Sequence, residues 1–93
     1  MIGEKKLNNP LVSVIIPAYN QEKYVAIAVR SACTQSYRPV EVIVIDDESN
    51  DRTRDVVRTI RQEHDFTFLE NERNIGLTRS LNVALQHAQG KYV

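Results

Sequence analysis

Two short runs of β-branched residues constrain the fold of this chain more than any other feature. They occupy residues 11–16, where Pro17 ends the run, and residues 40–46, where Glu41 interrupts an otherwise apolar stretch. Polar and apolar side chains hardly alternate in either run, which is typical of a strand that is covered on both faces. Strands of this kind occur in parallel sheets with helices on both sides. The sequence therefore predicts an α/β fold.

Apolar residues at helical spacing separate these strands and continue after them. The predicted helices cover about residues 21–35, 50–63 and 77–89, with a weaker third strand at 66–69 and the start of a fourth at 91–93. Asn20 is placed to cap the first helix, and Ser49 or Asp51 the second. Ala28 and Leu77 are expected on the inner faces of their helices. The order of elements predicts a three-layer α/β/α fold with a mostly parallel, Rossmann-like sheet, truncated at its fourth strand.

The composition fits one small globular unit. Hydrophobic residues make up 42% of the 93 positions, too many for a disordered chain. Residues 1–10 are expected to form a flexible leader, and residues 11–93 a partial domain whose unprotected sheet edge favours a homo-oligomer. Twelve basic and twelve acidic residues give zero net charge, so nucleic acid is not expected as a partner. A single cysteine, with no signal peptide and no long apolar run, predicts a cytoplasmic location.

The residues at the carboxyl ends of the first two strands are the candidates for ligand binding, since open α/β sheets bind ligands beyond these ends. They are Pro17, Ala18, Tyr19 and Asn20 after the first strand, and Asp46 and Asp47 after the second. A tyrosine stacks well on a flat base, and a carboxylate accepts hydrogen bonds from a base or a ribose. The pattern is compatible with a nucleoside site. On these residues alone, strand termination and packing explain Pro17 and Tyr19 more simply, and the aspartates suit the next helix N-terminus equally well.

The glycine-rich loops that cradle phosphates are absent from the sequence. The three glycines, Gly3, Gly76 and Gly90, fit neither the Walker pattern nor the dinucleotide-binding pattern. A Walker-type ATPase and an ordinary dinucleotide dehydrogenase are therefore not expected. The phosphates of a bound nucleotide would instead need a metal held by carboxylates.

Four segments resemble, in order and in spacing, the start of a family 2 glycosyltransferase with the GT-A fold. They are residues 12–20, 42–53, 74–77 and 90–93, and the resemblance covers about residues 11–93. It implies that Pro17, Tyr19 and Asp47 contact the nucleoside of an NDP-sugar donor, in the first place a UDP-sugar. It also implies that Asn20 and Asp46 shape the same pocket.

The same resemblance implies the activity of a longer parent enzyme. That enzyme would transfer a sugar, with inversion, to a hydroxyl of a sugar or a lipid-linked acceptor, and it would work in polysaccharide biosynthesis at the cytoplasmic face of the membrane. The Asp-x-Asp metal motif and the catalytic base of the family would follow Val93. A divalent metal, Mg²⁺ or Mn²⁺, is thus implied for the full-length enzyme alone. Residues 1–93 are expected to be inactive, with no catalytic or metal-binding residue of their own.

Two positions depart from the family pattern. Glu48 stands where glycine is most common in the family, and Leu81 stands where many members have arginine. Arg79, two residues before Leu81, is the candidate for a substitute phosphate contact.

Two other interpretations of the sequence stay open. A receiver-like or phosphohydrolase-like domain would bind Mg²⁺ through Asp46 and Asp47, but the predicted third strand does not end in the residues that such a domain needs. A non-catalytic assembly module would instead oligomerise through its sheet edge.

Overall fold

The structure is a computed structural model that describes residues 10–92, and these residues form one parallel sheet with helices on both faces. The strands are β1 (Val12–Ala18), β2 (Val40–Asp46), β3 (Thr67–Glu70) and β4 (Lys91–Tyr92), and the helices are α1 (Val25–Thr34), α2 (Thr53–Ile60) and α3 (Leu77–His87). The strand order is β3-β2-β1-β4, and each neighbouring pair is parallel. The prediction of an α/β fold with a Rossmann-like sheet between two helical layers is confirmed.

The apolar run of β2 is buried because both faces of this central strand are covered. Val42 and Val44 pack with the residues of α1 and α2. Ile43 and Ile45 pack on the opposite face, against α3, and none of the four is more than 5% exposed. Since side chains alternate across a strand, two helical layers require apolar residues at successive positions. Burial of each of these side chains contributes about 1.5–3 kcal/mol, so β2 forms the centre of the fold.

The helices present narrower inner faces than the sequence predicts. The buried residues are Val25 and Val29 in α1, Thr53, Val57 and Ile60 in α2, and Ser80 and Ala84 in α3. The prediction that Ala28 and Leu77 face inward is wrong, since both are exposed. In helices this short, only residues three or four positions apart reach the sheet. None of the helices in residues 10–92 has the length and apolar character needed to cross a membrane.

The register of β1 and β2 brings the two predicted binding loops together. Val12 pairs with Val40, and Ala18 pairs with Asp46, so the two strands are level at both ends. The loops that follow the strands therefore leave the sheet side by side. The strand order reverses between β1 and β4, which is where open α/β sheets bind ligands.

The first helix begins later than predicted, at Val25 rather than at residue 21. Asn20 does not cap this helix, because the residue immediately before the helix is Tyr24 and no side chain makes a cap hydrogen bond. Asn20 adopts the left-handed region, with φ of 52°, and its side-chain oxygen accepts the N–H of Asn50 at 2.8 Å. Asparagine side chains compete with a helix for backbone donors in this way.

Asp51 stabilises the start of α2. Its carboxylate accepts both the N–H of Thr53, at 2.9 Å, and the Thr53 hydroxyl. Ser49, the other residue predicted to cap this helix, is bonded to Asp46 instead. The prediction that Ser49 or Asp51 caps α2 is therefore wrong, since Arg52 is the residue before this helix and no side chain makes a cap hydrogen bond there.

Two polar residues in the apolar strands hold the chain after α3. The Ser13 hydroxyl donates to Glu41 Oε1 at 2.7 Å and accepts the N–H of Gly90 at 2.9 Å. The same Glu41 oxygen accepts the N–H of Gln89 at 2.9 Å. A Cβ atom at position 90 would lie 2.5 Å from the carbonyl oxygen of Leu11. Only glycine fits at this close approach, which pins the chain at the start of β4.

Candidate functional site

A cavity of about 260 Å³ opens at the carboxyl ends of β1 and β2, beside the N-terminus of α3. Its lining residues are Pro17, Ala18, Tyr19, Ile45, Asp47, Asn74, Gly76, Leu77 and Ser80. Sites for drug-sized ligands usually enclose roughly 300–1,000 Å³. The cavity therefore suits a base or a nucleoside rather than a whole nucleotide sugar.

Two large side chains with apolar surface border the cavity and are open to solvent. Tyr19 is 43% exposed and Leu77 is 61% exposed. Leu77 is the residue that helical spacing placed inside the core. Exposed apolar side chains beside a concave site suit a flat aromatic ligand, because base–aromatic stacking needs no particular hydrogen bond.

Asp47 lines the cavity and is only 6% exposed. Its Oδ1 accepts the N–H of Ile75 at 2.8 Å and the amide of Asn71 at 3.0 Å, and its Oδ2 accepts the N–H of Gly76 at 2.8 Å. Burial alone would raise the pKa of Asp47. The hydrogen bonds from Ile75, Asn71, Gly76 and Ser80 outweigh burial and leave this pKa below its ordinary value of 3.8. Asp47 is therefore ionised near neutral pH.

The loop between β3 and α3, residues 71–76, is held by the residues at the end of β2, and we call it the anchored loop. Besides the bonds to the Asp47 carboxylate, the side chain of Asn74 donates to the Asp47 carbonyl oxygen at 3.2 Å. The N–H of Asn74 donates to Glu48 Oε1 at 3.2 Å, and the N–H of Asn71 to the Asp46 carbonyl oxygen at 2.9 Å. The anchored loop thus forms one wall of the cavity.

Asp46 is fully buried and does not line the cavity. Its carboxylate accepts the N–H of Ser49 at 3.0 Å and the Ser49 hydroxyl, and Oδ2 lies 3.5 Å from Arg54 Nε. Arg54 also donates to the Ser49 carbonyl oxygen at 3.1 Å. A buried carboxylate needs such partners, because its desolvation is costly. Asp46 therefore holds the turn between β2 and α2.

The two loops that follow β1 and β2 are joined to each other by hydrogen bonds. The N–H of Asn20 donates to Ser49 Oγ at 3.0 Å, and the N–H of Gln21 donates to Thr53 Oγ1 at 2.8 Å. The bond from Asn50 to the Asn20 side chain completes this connection. Because Asn20 directly follows Tyr19, the loop connection fixes the backbone that carries the cavity-lining ring.

The predicted site residues fall into two groups. Pro17, Ala18, Tyr19 and Asp47 line the cavity, whereas Asn20, in the loop after β1, and Asp46, at the end of β2, do not. Arg79 is exposed on α3 and outside the lining, so its contact with a phosphate stays a prediction. Sequence reasoning missed Asn71 and Ser80, for which no local pattern gave a signal. The segment 74–77 did carry a signal, since it is one of the four segments that resemble the family.

The described residues do not suit a divalent metal ion. Within residues 10–92, no group of three or more His, Cys, Asp or Glu side chains is placed to hold one. The carboxylates of Asp46 and Asp47 are engaged by hydrogen-bond donors of the protein itself.

Solved structures share this fold with the chain. A mannosyltransferase from Pyrobaculum calidifontis, PcManGT in complex with GDP-Man and Mn²⁺, superposes with a TM-score of 0.80 at 29% identity, covering 96% of this chain and 30% of the other. Residues 1–349 of S. aureus TarS, in complex with UDP-GlcNAc, superpose with a TM-score of 0.75 at 36% identity, covering 88% and 25%. These neighbours have the GT-A fold, which confirms the predicted fold class.

Sequence relatives agree with the structural comparison. WfaP of Escherichia coli, a UDP-Glc:alpha-D-GlcNAc-diphosphoundecaprenol beta-1,3-glucosyltransferase, is 36% identical over 83 residues, which are 89% of this chain and 33% of its own length. The chain spans between 12% and 35% of the length of the curated relatives it matches. The profile of the family described as Glycosyl transferase family 2 matches residues 13–93. The chain therefore belongs to glycosyl transferase family 2.

Proposed function

We propose that this chain binds the nucleoside of an NDP-sugar, with a UDP-sugar as the favoured donor, for a glycosyltransferase that passes the sugar to an acceptor hydroxyl. The observation that carries the proposal is the cavity at the ends of β1 and β2, which Tyr19 and Asp47 line together. Tyr19 supplies a stacking surface for a base. Asp47 supplies a cavity-lining carboxylate whose pKa is lowered.

The hydrogen bonds of Asp47 favour a base with a single ring N–H. A carboxylate has about four acceptor positions, and Asn71, Ile75 and Gly76 take three of them. The Ser80 hydroxyl also bonds to Asp47, and it would rotate away to leave the fourth position to a ligand. Uracil presents one ring N–H, whereas guanine presents two neighbouring donors. The remaining acceptor position therefore supports UDP over GDP, although structures similar to this chain contain either GDP-Man or UDP-GlcNAc.

The finer features of the reaction belong to the parent enzyme in this proposal. We propose transfer with inversion to a sugar or lipid-linked acceptor, since the similar WfaP acts on a diphosphoundecaprenol-linked sugar. The Mn²⁺ in the similar mannosyltransferase structure supports the use of Mg²⁺ or Mn²⁺ by the full-length enzyme. A location at the cytoplasmic face of the membrane and a homo-oligomer through the sheet edge stay predictions.

Isothermal titration of residues 1–93 with UDP tests the proposal through Tyr19. We expect Tyr19→Ala to weaken UDP binding by about 5- to 150-fold, because base–aromatic stacking contributes about 1–3 kcal/mol. Tyr24→Ala is the matched control, since Tyr24 is 67% exposed and lies outside the cavity lining. It should bind UDP as the wild type does.

The same titration separates the alternatives. GDP should bind more weakly than UDP, and uridine should retain part of the affinity of UDP. Absence of any nucleotide binding by the folded wild type would refute the proposal. Equal losses in Tyr19→Ala and Tyr24→Ala would show that the cavity is not the site.

A second prediction concerns turnover. We expect residues 1–93 to bind UDP without transferring sugar from a UDP-sugar, because the matched relatives are about three or more times as long and no metal or catalytic group is assigned within residues 10–92. Mass spectrometry of donor, free sugar and glycosylated acceptor measures the transfer. A glycosylated product that forms with residues 1–93 alone would contradict this expectation.

A further inference from the structure

Glu48 combines a left-handed backbone conformation with a side chain that bonds to the anchored loop. We propose that it is a positioning residue, which holds the anchored loop against the cavity and thereby supports binding of a nucleoside diphosphate without touching it. The inference deepens the proposed function and rests on it for the binding readout. It also has a readout that is independent of any ligand.

The backbone of Glu48 lies in the left-handed region, with φ of 57°. Among residues 10–92, Asn20 is the one other non-glycine residue with positive φ. Asparagine tolerates this region because its short side chain bonds locally, whereas a glutamate is strained there by its Cβ atom. Glycine would adopt the same φ freely. A specific contact is therefore expected to offset the strain at Glu48.

That contact is the bond from the N–H of Asn74 to Glu48 Oε1, at 3.2 Å. The next two amides, of Ile75 and Gly76, donate to Asp47. Three successive N–H groups at the start of α3 thus converge on the carboxylates of two successive residues. In an extended strand, two such side chains would point to opposite faces. The left-handed turn at Glu48 breaks the alternation and lets both reach the same loop.

The anchored loop connects Glu48 to the cavity. Asn74 and Gly76 line the cavity, whereas Glu48 does not. Glu48 therefore acts through the loop: its carboxylate fixes Asn74, and Asn74 forms part of the wall. Loss of the Glu48 carboxylate should loosen this wall of the cavity, while the core on both faces of β2 stays intact.

The test compares Glu48→Gly with Glu48→Gln. Glycine removes both the strain and the acceptor, whereas glutamine keeps an oxygen that can accept the Asn74 N–H. We expect Glu48→Gly to weaken UDP binding by about tenfold, the effect of losing one hydrogen bond to a charged group, with no fall in the urea midpoint. Glu48→Gln should stay within about twofold of the wild type. Glu63→Gln, at an exposed residue outside the cavity lining whose partner is Arg30, is the control for removal of a negative charge.

Hydrogen exchange of the backbone amides gives the readout that needs no ligand. We expect faster exchange at Asn74, Ile75 and Gly76 in Glu48→Gly, with unchanged exchange in β2. If the wild type binds no UDP, this pattern still supports the role of Glu48, and only the proposed function fails. Glu48→Asn, which tolerates the left-handed backbone but cannot reach Asn74, replaces the glycine variant if that variant does not fold. Unchanged loop exchange in the variants, or equal losses of affinity in Glu48→Gly and Glu48→Gln, would overturn the proposal.

Discussion

Asp47→Asn is expected to abolish measurable UDP binding and to lower the free energy of unfolding by about 2–4 kcal/mol. The carboxylate of Asp47 accepts the N–H groups of Ile75 and Gly76, and a carboxamide would direct its own donors at one of them. A negative charge near the N-terminus of α3 would be lost as well. Urea unfolding and titration with UDP measure the two effects. Asp65→Asn, at an exposed position, should change neither quantity.

The effect of Asp47→Asn on stability should depend on pH in a defined direction. The pKa of Asp47 is lowered in the folded state, so its contribution to stability is complete above the ordinary pKa of 3.8 and is lost as pH falls through the lower, folded value. The difference between the wild type and the variant should therefore narrow below about pH 4. A difference that stays constant down to pH 2 would show that the charge of Asp47 does not stabilise the anchored loop.

Asp46→Ala is expected to affect stability more than it affects the ligand. Asp46 is fully buried, and its removal leaves the N–H of Ser49 without its acceptor and Arg54 without its carboxylate partner. We expect a loss of about 2–3 kcal/mol in the free energy of unfolding, because the buried N–H of Ser49 loses its acceptor, whereas the 35% exposed side chain of Arg54 can still be solvated. Small domains have about 5–15 kcal/mol in total, so this loss is a substantial fraction of the stability.

Urea unfolding at low temperature measures the effect of Asp46→Ala, and UDP titration of the folded variant separates stability from binding. Asp55→Ala is the control, because Asp55 is exposed on α2 and its salt bridge to Arg58 is long, at 3.8 Å. It should change stability by less than about 0.5 kcal/mol. A small effect of Asp46→Ala, close to that of the control, would mean that the turn after β2 does not depend on its carboxylate.

The central strand shows what could be predicted from the sequence. In residues 42–45, four successive apolar residues indicate burial on two faces, and this pattern leads directly to the parallel sheet and its helical layers. The placement of Tyr19 and Asp47 beside one cavity also follows from strand order, because parallel neighbours end at the same edge. Both inferences depend on patterns that are local in the sequence.

The anchored loop shows what could not be predicted. Its bonds join Asp47 and Glu48 to residues 24–29 positions away, and no spacing rule identifies such partners. The start of α1 raises a related difficulty. Asparagine is a common helix-capping residue, yet the side chain of Asn20 bonds to Asn50, thirty positions away. Helix α1 begins at Val25 instead. Long-range hydrogen bonds therefore determine the conformations of the loops, whereas the apolar periodicity predicts the helices and strands.

The exposed positions of α3 follow from helix geometry once its inner face is known. Ser80 and Ala84 face the sheet, so Arg79, about 100° around the helix from Ser80, points away from it. Leu77 lies in the first turn, beyond the area that the sheet covers, and reaches the cavity instead. Apolar spacing alone cannot distinguish a residue that packs in a core from one that borders a ligand site.

The hydrogen bonds between the loops after β1 and β2 limit how either loop can be exchanged by itself. Each loop uses donors or acceptors of the other to keep its shape, so neither carries its own conformation when it is moved. Grafting one loop alone from a relative with a different donor preference would transfer its sequence without the hydrogen bonds that determine its conformation. We therefore expect an exchange of both loops together to preserve their shape better than an exchange of one.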